Sequence, residues 1–202
     1  VQFMAKDNIP FHPLSFPATI FGSGENWKLV DYIKGFNWLL YEGGKFSTSE
    51  KRGIFMDVAL KLFPADYWRW WLLSNAPESS DANFTWDSFQ NTINKDLADV
   101  LGNFIARVTK FSFTKFGGKI PINNEFGELE KKTIEEIDKY YASYNHFLSK
   151  IDIRKASQEL RNIWVIGNEY LQKSQPWVIF KSDENKTRMI IRFSYNLIYF
   201  YS

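Results

Sequence analysis

Gly43-Gly44-Lys45-Phe46-Ser47-Thr48-Ser49 is the stretch from which the rest of the chain is read. Adjacent glycines let a backbone approach a ligand closely, Lys45 supplies a compact positive charge, and Ser47, Thr48 and Ser49 follow it with hydroxyl donors. Such a loop suits phosphate. On composition alone a solvated hairpin or loop tip is the commoner outcome, because Gly, Ser, Thr and Lys gather between elements. The Walker pattern is absent, since Lys45 lacks the upstream glycine and the right spacing. The flanking sequence has to decide.

Upstream, Leu29 to Ile33 and Phe36 to Tyr41 are aromatic and β-branched and read as strands that deliver the chain to the loop. Val1-Gln2-Phe3-Met4 reads as the inside of a buried strand, and Leu14 to Phe21 as a short helix broken or kinked by Pro17 and ended by Gly22-Ser23-Gly24. Downstream, Asp57 to Leu62 and Asp66 to Ser74 predict short helices, the second crowded with Trp68, Trp70 and Trp71, which read as packing. Ala76 to Asp81 punctuates the chain. From Thr85 onward apolar residues recur at three and four, as in Trp86, Phe89, Ile93, Leu97 and Val100, and Gly117-Gly118 with Pro121 closes that run. The same period returns over Ile134 to Ile151, over Ile153 to Leu171, and again from Arg188. The pattern predicts a mainly α protein with an α/β start and a helical bundle behind it, the boundary falling near Asp81 or Ala82.

Composition narrows the partners. The chain has 202 residues, 45% of them hydrophobic, which is enough for a real core, and a net charge of +2 argues against a general electrostatic grip on nucleic acid. Cysteine is absent, so neither a disulfide framework nor a thiolate metal site or nucleophile is available, and two histidines leave little for a metal. No signal-peptide pattern opens the sequence, and the apolar run from Met189 to Tyr201 is short for a membrane helix and carries Arg192. Cytoplasm without membrane association is the default expectation. Val1 at the start and the uncapped apolar end both suggest a piece of a longer protein.

Several ordered blocks then carry a resemblance. These are Ala5-Lys6-Asp7 with His12 and Phe16, Gly43 to Ser49, Pro64 to Trp70, Asn94 to Arg107, Gly167 to Leu171, and Gln175-Pro176-Trp177. Together they resemble the methionyl-tRNA synthetases, a family of class I aminoacyl-tRNA synthetases, over essentially the whole chain. The loop resembles the class I lysine signature in a KFSTS form, with Thr48 where the family commonly has a second lysine. The Asn94 to Arg107 block and the Pro176-Trp177 step are more particular to the methionine enzymes. No His-x-Gly-His pattern occurs in this sequence, so the resemblance starts late in the family's catalytic domain.

What the resemblance implies is specific. Residues 1–49 would be the end of a Rossmann-like nucleotide-binding catalytic domain, 50–81 a stem-contact connecting region, and 82–202 an anticodon-binding helical bundle truncated at its C-terminus. The family joins methionine to ATP, taken as its Mg2+ complex, releases pyrophosphate and passes the methionyl group to tRNA(Met). Lys45 would be catalytic, stabilising charge on the departing pyrophosphate. Asp7, Lys45 and Thr48 would contact ATP, and Lys51 or Arg52 could replace the missing lysine. His12 and Phe16 would line the methionine side chain, whose thioether favours aromatic neighbours. No zinc site is implied in this portion. Asn103 and Arg107, at i and i+4 on one helix face, and Trp177 as a stacking platform, would read the CAU anticodon. The fragment alone is expected to be inactive, and its oligomeric state is not legible.

Overall fold

Short strands and long amphipathic helices alternate in the order that the apolar periodicity sets. The computed structural model describes residues 1–122 and 125–202. They form two units, one of residues 1–89 with 149–154, the other of 90–148 with 155–202.

In the first unit, β1 (Gln2–Ala5) pairs in parallel with β2 (Ile33–Phe36). Of the Val1 to Met4 segment only Met4 is buried, and Val1 and Phe3 are exposed, so the expected fully buried strand is covered on one side only. Helix α1 (Ser15–Ser23) is not broken by Pro17, because that residue lies in the first turn, where the missing N–H has no intrahelical partner to lose. Gly24 ends it in the left-handed region, at φ 70°.

The two expected strands before the lysine loop are shorter than their β-branched and aromatic runs. Leu29 to Asp31 is irregular, and β2 stops at Phe36. There the Asn37 N–H goes to the Pro77 carbonyl (2.8 Å) and the Trp38 N–H to Asp81 Oδ1 (2.9 Å), so the chain changes ladder. β3 (Leu39–Tyr41) then pairs antiparallel with β4 (Gly44–Lys45) and in parallel with β5 (Ala82–Phe84). Sequence punctuation hid β5, which is too brief to show a period.

Helices α2 (Met56–Leu62) and α3 (Ala65–Ser74) follow, with Pro64 capping the second. Trp68, Trp71, Phe84, Trp86 and Phe89 meet ring to ring, the Trp68–Phe89 pair at 4.5 Å between centroids. Glu78 accepts from the N–H groups of Ile153 and Arg154 at 2.8 and 3.0 Å and from Lys34 Nζ at 3.0 Å. A carboxylate thereby satisfies the free donors at the start of α7 (Ile153–Ser174).

In the second unit, a π-helical segment, Ile93–Gly102, follows α4 (Trp86–Thr92) and continues into α5 (Asn103–Phe116). Helical periodicity did not distinguish this wide turn from an α-helix. α6 (Glu128–Ser149), α7, the short α8 (Pro176–Ile179) and α9 (Glu184–Tyr201) complete the unit. Phe104, Val108, Ile163, Tyr170, Leu171, Ile190 and Phe193 form its core. Gly167 lets α5 and α7 approach: a Cβ there would lie 3.1 Å from the Phe104 ring. Asp96 and Arg161 pair at 2.5 Å, both largely buried.

Candidate functional site

The side chains singled out in the sequence fall into two groups, one in each unit.

In the first unit the lysine loop is a pair of hairpin turns. Glu42 and Gly43, at φ 47° and 77°, form the first, a geometry with both central residues left-handed that matches strand twist. Gly43 N–H is held by Asn83 Oδ1 at 2.9 Å, and Glu42 Oε1 accepts from Trp86 N–H at 3.0 Å. The second turn is closed by Ser47 and Arg52, which exchange backbone bonds of 2.9 and 2.8 Å. Ser47 Oγ lies 3.2 Å from Ser49 Oγ and accepts from Glu50 N–H at 3.3 Å. Arg52 donates to the carbonyls of Tyr41 and Glu42 at 3.2 Å each, and a Cβ on Gly44 would collide with its guanidinium. Arg52 thus has a structural task at the first turn, and Gly44 leaves room for it.

Lys45 and Thr48 are both exposed. Lys45 Nζ stands 5.9 Å from the Trp38 ring centroid and Lys6 Nζ 5.6 Å from the same ring. Lys6 also pairs with Asp81 at 3.1 Å. The Asp81 carboxyl lies below the ordinary carboxylate range, first because it accepts the Trp38 backbone N–H, then because of Lys6. Trp38 therefore gathers the Ala5-Lys6-Asp7 block and the lysine loop, a role that no spacing in the sequence signals. Asp7 is exposed in the turn after β1.

His12 Nδ1 is 2.8 Å from Gln2 Oε1, which fixes its ring. Phe16 is 45% exposed and lines an apolar groove of about 260 Å³ with Ile20 and Trp27; His12 is not in that lining. The two side chains expected to share one pocket are thus not brought together by this groove.

In the second unit two of the three expected base readers, Arg107 and Trp177, meet, and the third, Asn103, lies on the same helix as Arg107. Asn103 is the first residue of α5, and Arg107 lies one turn on. Gln175, at φ 42°, turns the chain out of α7 so that Pro176 is buried and Trp177 is 40% exposed. The Arg107 guanidinium covers the Trp177 ring at 5.0 Å. Asn103 Nδ2 donates to Asn168 Oδ1 at 3.5 Å, and Asn168 Nδ2 donates to the Val100 carbonyl at 2.8 Å. Asn168 was not singled out as a site residue; its signal was the neighbouring mid-helix glycine, Gly167, which marks a close helix approach. Among the described residues no group of three or more His, Cys, Asp or Glu is placed to hold a metal ion, and no helix is long and apolar enough to cross a membrane.

An exposed lysine hairpin thus lies on the α/β unit, and an aromatic, arginine and amide cluster on the helical one. The chain belongs to the family described as tRNA synthetases class I (M), whose model matches residues 1–109. Residues 120–202 match the anticodon binding domain of methionyl tRNA ligase. The chain is 61% identical over 202 residues to the methionine-tRNA ligase of Jannaschia sp. (strain CCS1), covering all of this chain and 35% of that protein. It is 59% identical over 201 residues to the corresponding ligase of Paracoccus denitrificans (strain Pd 1222), again over 35% of the relative. The chain thus spans about a third of the length of these relatives. Its fold is that of the Mycobacterium tuberculosis methionyl-tRNA synthetase solved in complex with methionyl-adenylate, with a TM-score of 0.84, 23% identity and coverage of 98% of this chain and 39% of that one.

Proposed function

We propose that the chain is the C-terminal portion of a cytoplasmic methionine-tRNA ligase. It supplies the lysine loop of the adenylation site and the module that recognises the anticodon of tRNA(Met). The parent enzyme takes methionine and ATP as its Mg2+ complex. A methionine carboxylate oxygen forms a bond to the α-phosphorus, the bond to the bridging oxygen breaks, and pyrophosphate departs with the electron pair. Lys45 meets the charge that builds on that leaving group, an electrostatic contribution greatest in the transition state. Asp7 accepts from the ribose hydroxyls, Thr48 donates to phosphate, and His12 and Phe16 face the methionine side chain. A terminal hydroxyl of the tRNA then attacks the methionyl carbonyl and AMP leaves.

Functionally, residues 1–49 close the catalytic domain, 50–81 contact the tRNA stem, and 82–202 bind the anticodon. The observation that carries this reading is the convergence of Arg107 on Trp177, with Asn103 on the same helix face. A cation and a ring at cation-π distance give an unpaired base something to stack on, and an amide one helical turn away gives its edge something to bond.

The test is binding of RNA stem-loops to the full chain. A loop carrying CAU is expected to bind at least about tenfold tighter than one with the same stem and a scrambled loop. Equal binding of both loops overturns the proposal.

A further inference from the structure

We infer that Asn168 is a positioning residue that fixes the amide of Asn103 with its carbonyl oxygen outward, so that the site selects a base bearing an exocyclic amine. The inference rests on the anticodon reading of Asn103 given above and adds to it the polarity of the contact and the residue that sets it.

Val100 lies in the last turn of the π segment, where bonding to the fifth residue gives way to the α pattern, and the Asn103 N–H is shared between the carbonyls of Ala98 and Val100. The Val100 carbonyl keeps acceptor capacity for a side chain, and Asn168 fills it, its Nδ2 lying 2.8 Å away. A carbonyl can only accept, so the amine end of Asn168 must face Val100. Its other end, Oδ1, is then turned towards Asn103 as an acceptor. Only the amine of Asn103 can satisfy an acceptor, and Asn103 Nδ2 is the atom found there, at 3.5 Å. The Oδ1 of Asn103 is left as an acceptor on an exposed side chain, one helical turn from the Arg107 and Trp177 pair.

A free asparagine presents either end of its amide to a base and discriminates poorly. Held by Asn168, it presents an acceptor. Of the bases in CAU, cytosine and adenine carry an amine on the edge used for pairing, and uracil does not. Gly167 is part of the device, because its missing Cβ lets α7 come close enough to α5 for Asn168 to reach Val100.

The experiment compares stem-loop RNAs carrying CAU, UAU and CIU, in which uracil or inosine replaces an amine by a carbonyl. The wild-type chain is expected to bind at least one of the two amine-less loops about tenfold or more weakly than CAU. In Asn168→Ala, which removes the acceptor facing Asn103, that ratio is expected to fall below about threefold. A second change, Asn103→Asp, made in the Asn168→Ala background, is expected to restore the ratio, because a carboxylate presents an acceptor at both ends. Folding is followed by thermal melting. An unchanged ratio in a folded Asn168 variant, or a failure of Asn103→Asp to restore it, overturns the inference while leaving the anticodon reading standing. Wild-type chain that does not prefer CAU over a scrambled loop overturns both.

Discussion

The guanidinium of Arg107 on α5 lies over the indole of Trp177 on α8, 5.0 Å from carbon to ring centroid. The contact pre-orients a charged plane and an aromatic plane before any base arrives, which reduces what must be ordered on binding. Each side chain should therefore depend on the other. Trp177→Ala is expected to weaken CAU stem-loop binding by about 1–3 kcal/mol. Arg107→Ala should cost a comparable amount, and the double variant less than the sum by about 0.5–2 kcal/mol, the worth of a cation-π contact. Binding titrations of the wild type, both single variants and the double variant measure that coupling, and strict additivity would show that the pair does not act as a unit.

Lys45 faces solvent on its hairpin, with Trp38 beneath its ammonium. In the full-length protein, Lys45→Ala is expected to slow methionine-dependent ATP-pyrophosphate exchange by about 10²- to 10³-fold, the usual loss when one preorganised group for developing charge is removed. Methionine binding should stay near that of the wild type, since the deleted interaction belongs to the leaving group. A variant that exchanges pyrophosphate within a few-fold of the wild type would remove Lys45 from the chemistry.

Burial pushes the Tyr170 phenol far above its ordinary range, and the hydrogen bond to Glu130 and the charge of that carboxylate push it further. Tyr170 Oη donates to Glu130 Oε1 at 2.6 Å, while Gly127 N–H holds the other oxygen at 2.9 Å. Tyr201 is also raised by burial, against a smaller lowering from the Gly167 backbone. In the unfolded chain both ionise near about pH 10, so above that value the unfolded state has lost protons that the folded state keeps. Stability is intact below about pH 10 and falls above it, by up to ~1.4 kcal/mol per pH unit for each tyrosine. Urea unfolding between about pH 8 and 11 should show this decline. Tyr201→Phe and Tyr170→Phe should each flatten it, the second from a lower starting stability because Glu130 loses a donor. A decline equally steep in both variants would place its origin elsewhere.

The helical half was legible because its period is long and repeated. Ile134 to Leu148 and Ile153 to Leu171 each show several turns of the same apolar face, and α6 and α7 form there. The strands were harder. Asn37 and Trp38 interrupt what reads as one aromatic run, because Pro77 and Asp81 take their N–H groups, and neither partner is signalled by the residues themselves. β5 has three residues, too few for any period to register. The candidate site divides in the same way: Asn103 and Arg107 follow from helical spacing, whereas Trp38 beneath Lys45 and Asn168 beside Asn103 depend on elements far apart in the chain.

The residues alone determined the kind of chemistry available: a lysine among glycines and hydroxyls, an amide and a guanidinium one helical turn apart, a proline-tryptophan step, and no cysteine. Those choices are local, and local patterns survive in one dimension. The tertiary structure decided which of these groups meet and which way they point. Arg107 reaches Trp177 only because Gln175 adopts a left-handed turn, and Asn103 has a defined amide orientation only because Gly167 lets a neighbouring helix bring Asn168 within reach. Direction is a property of contacts between distant segments, and packing alone supplies it.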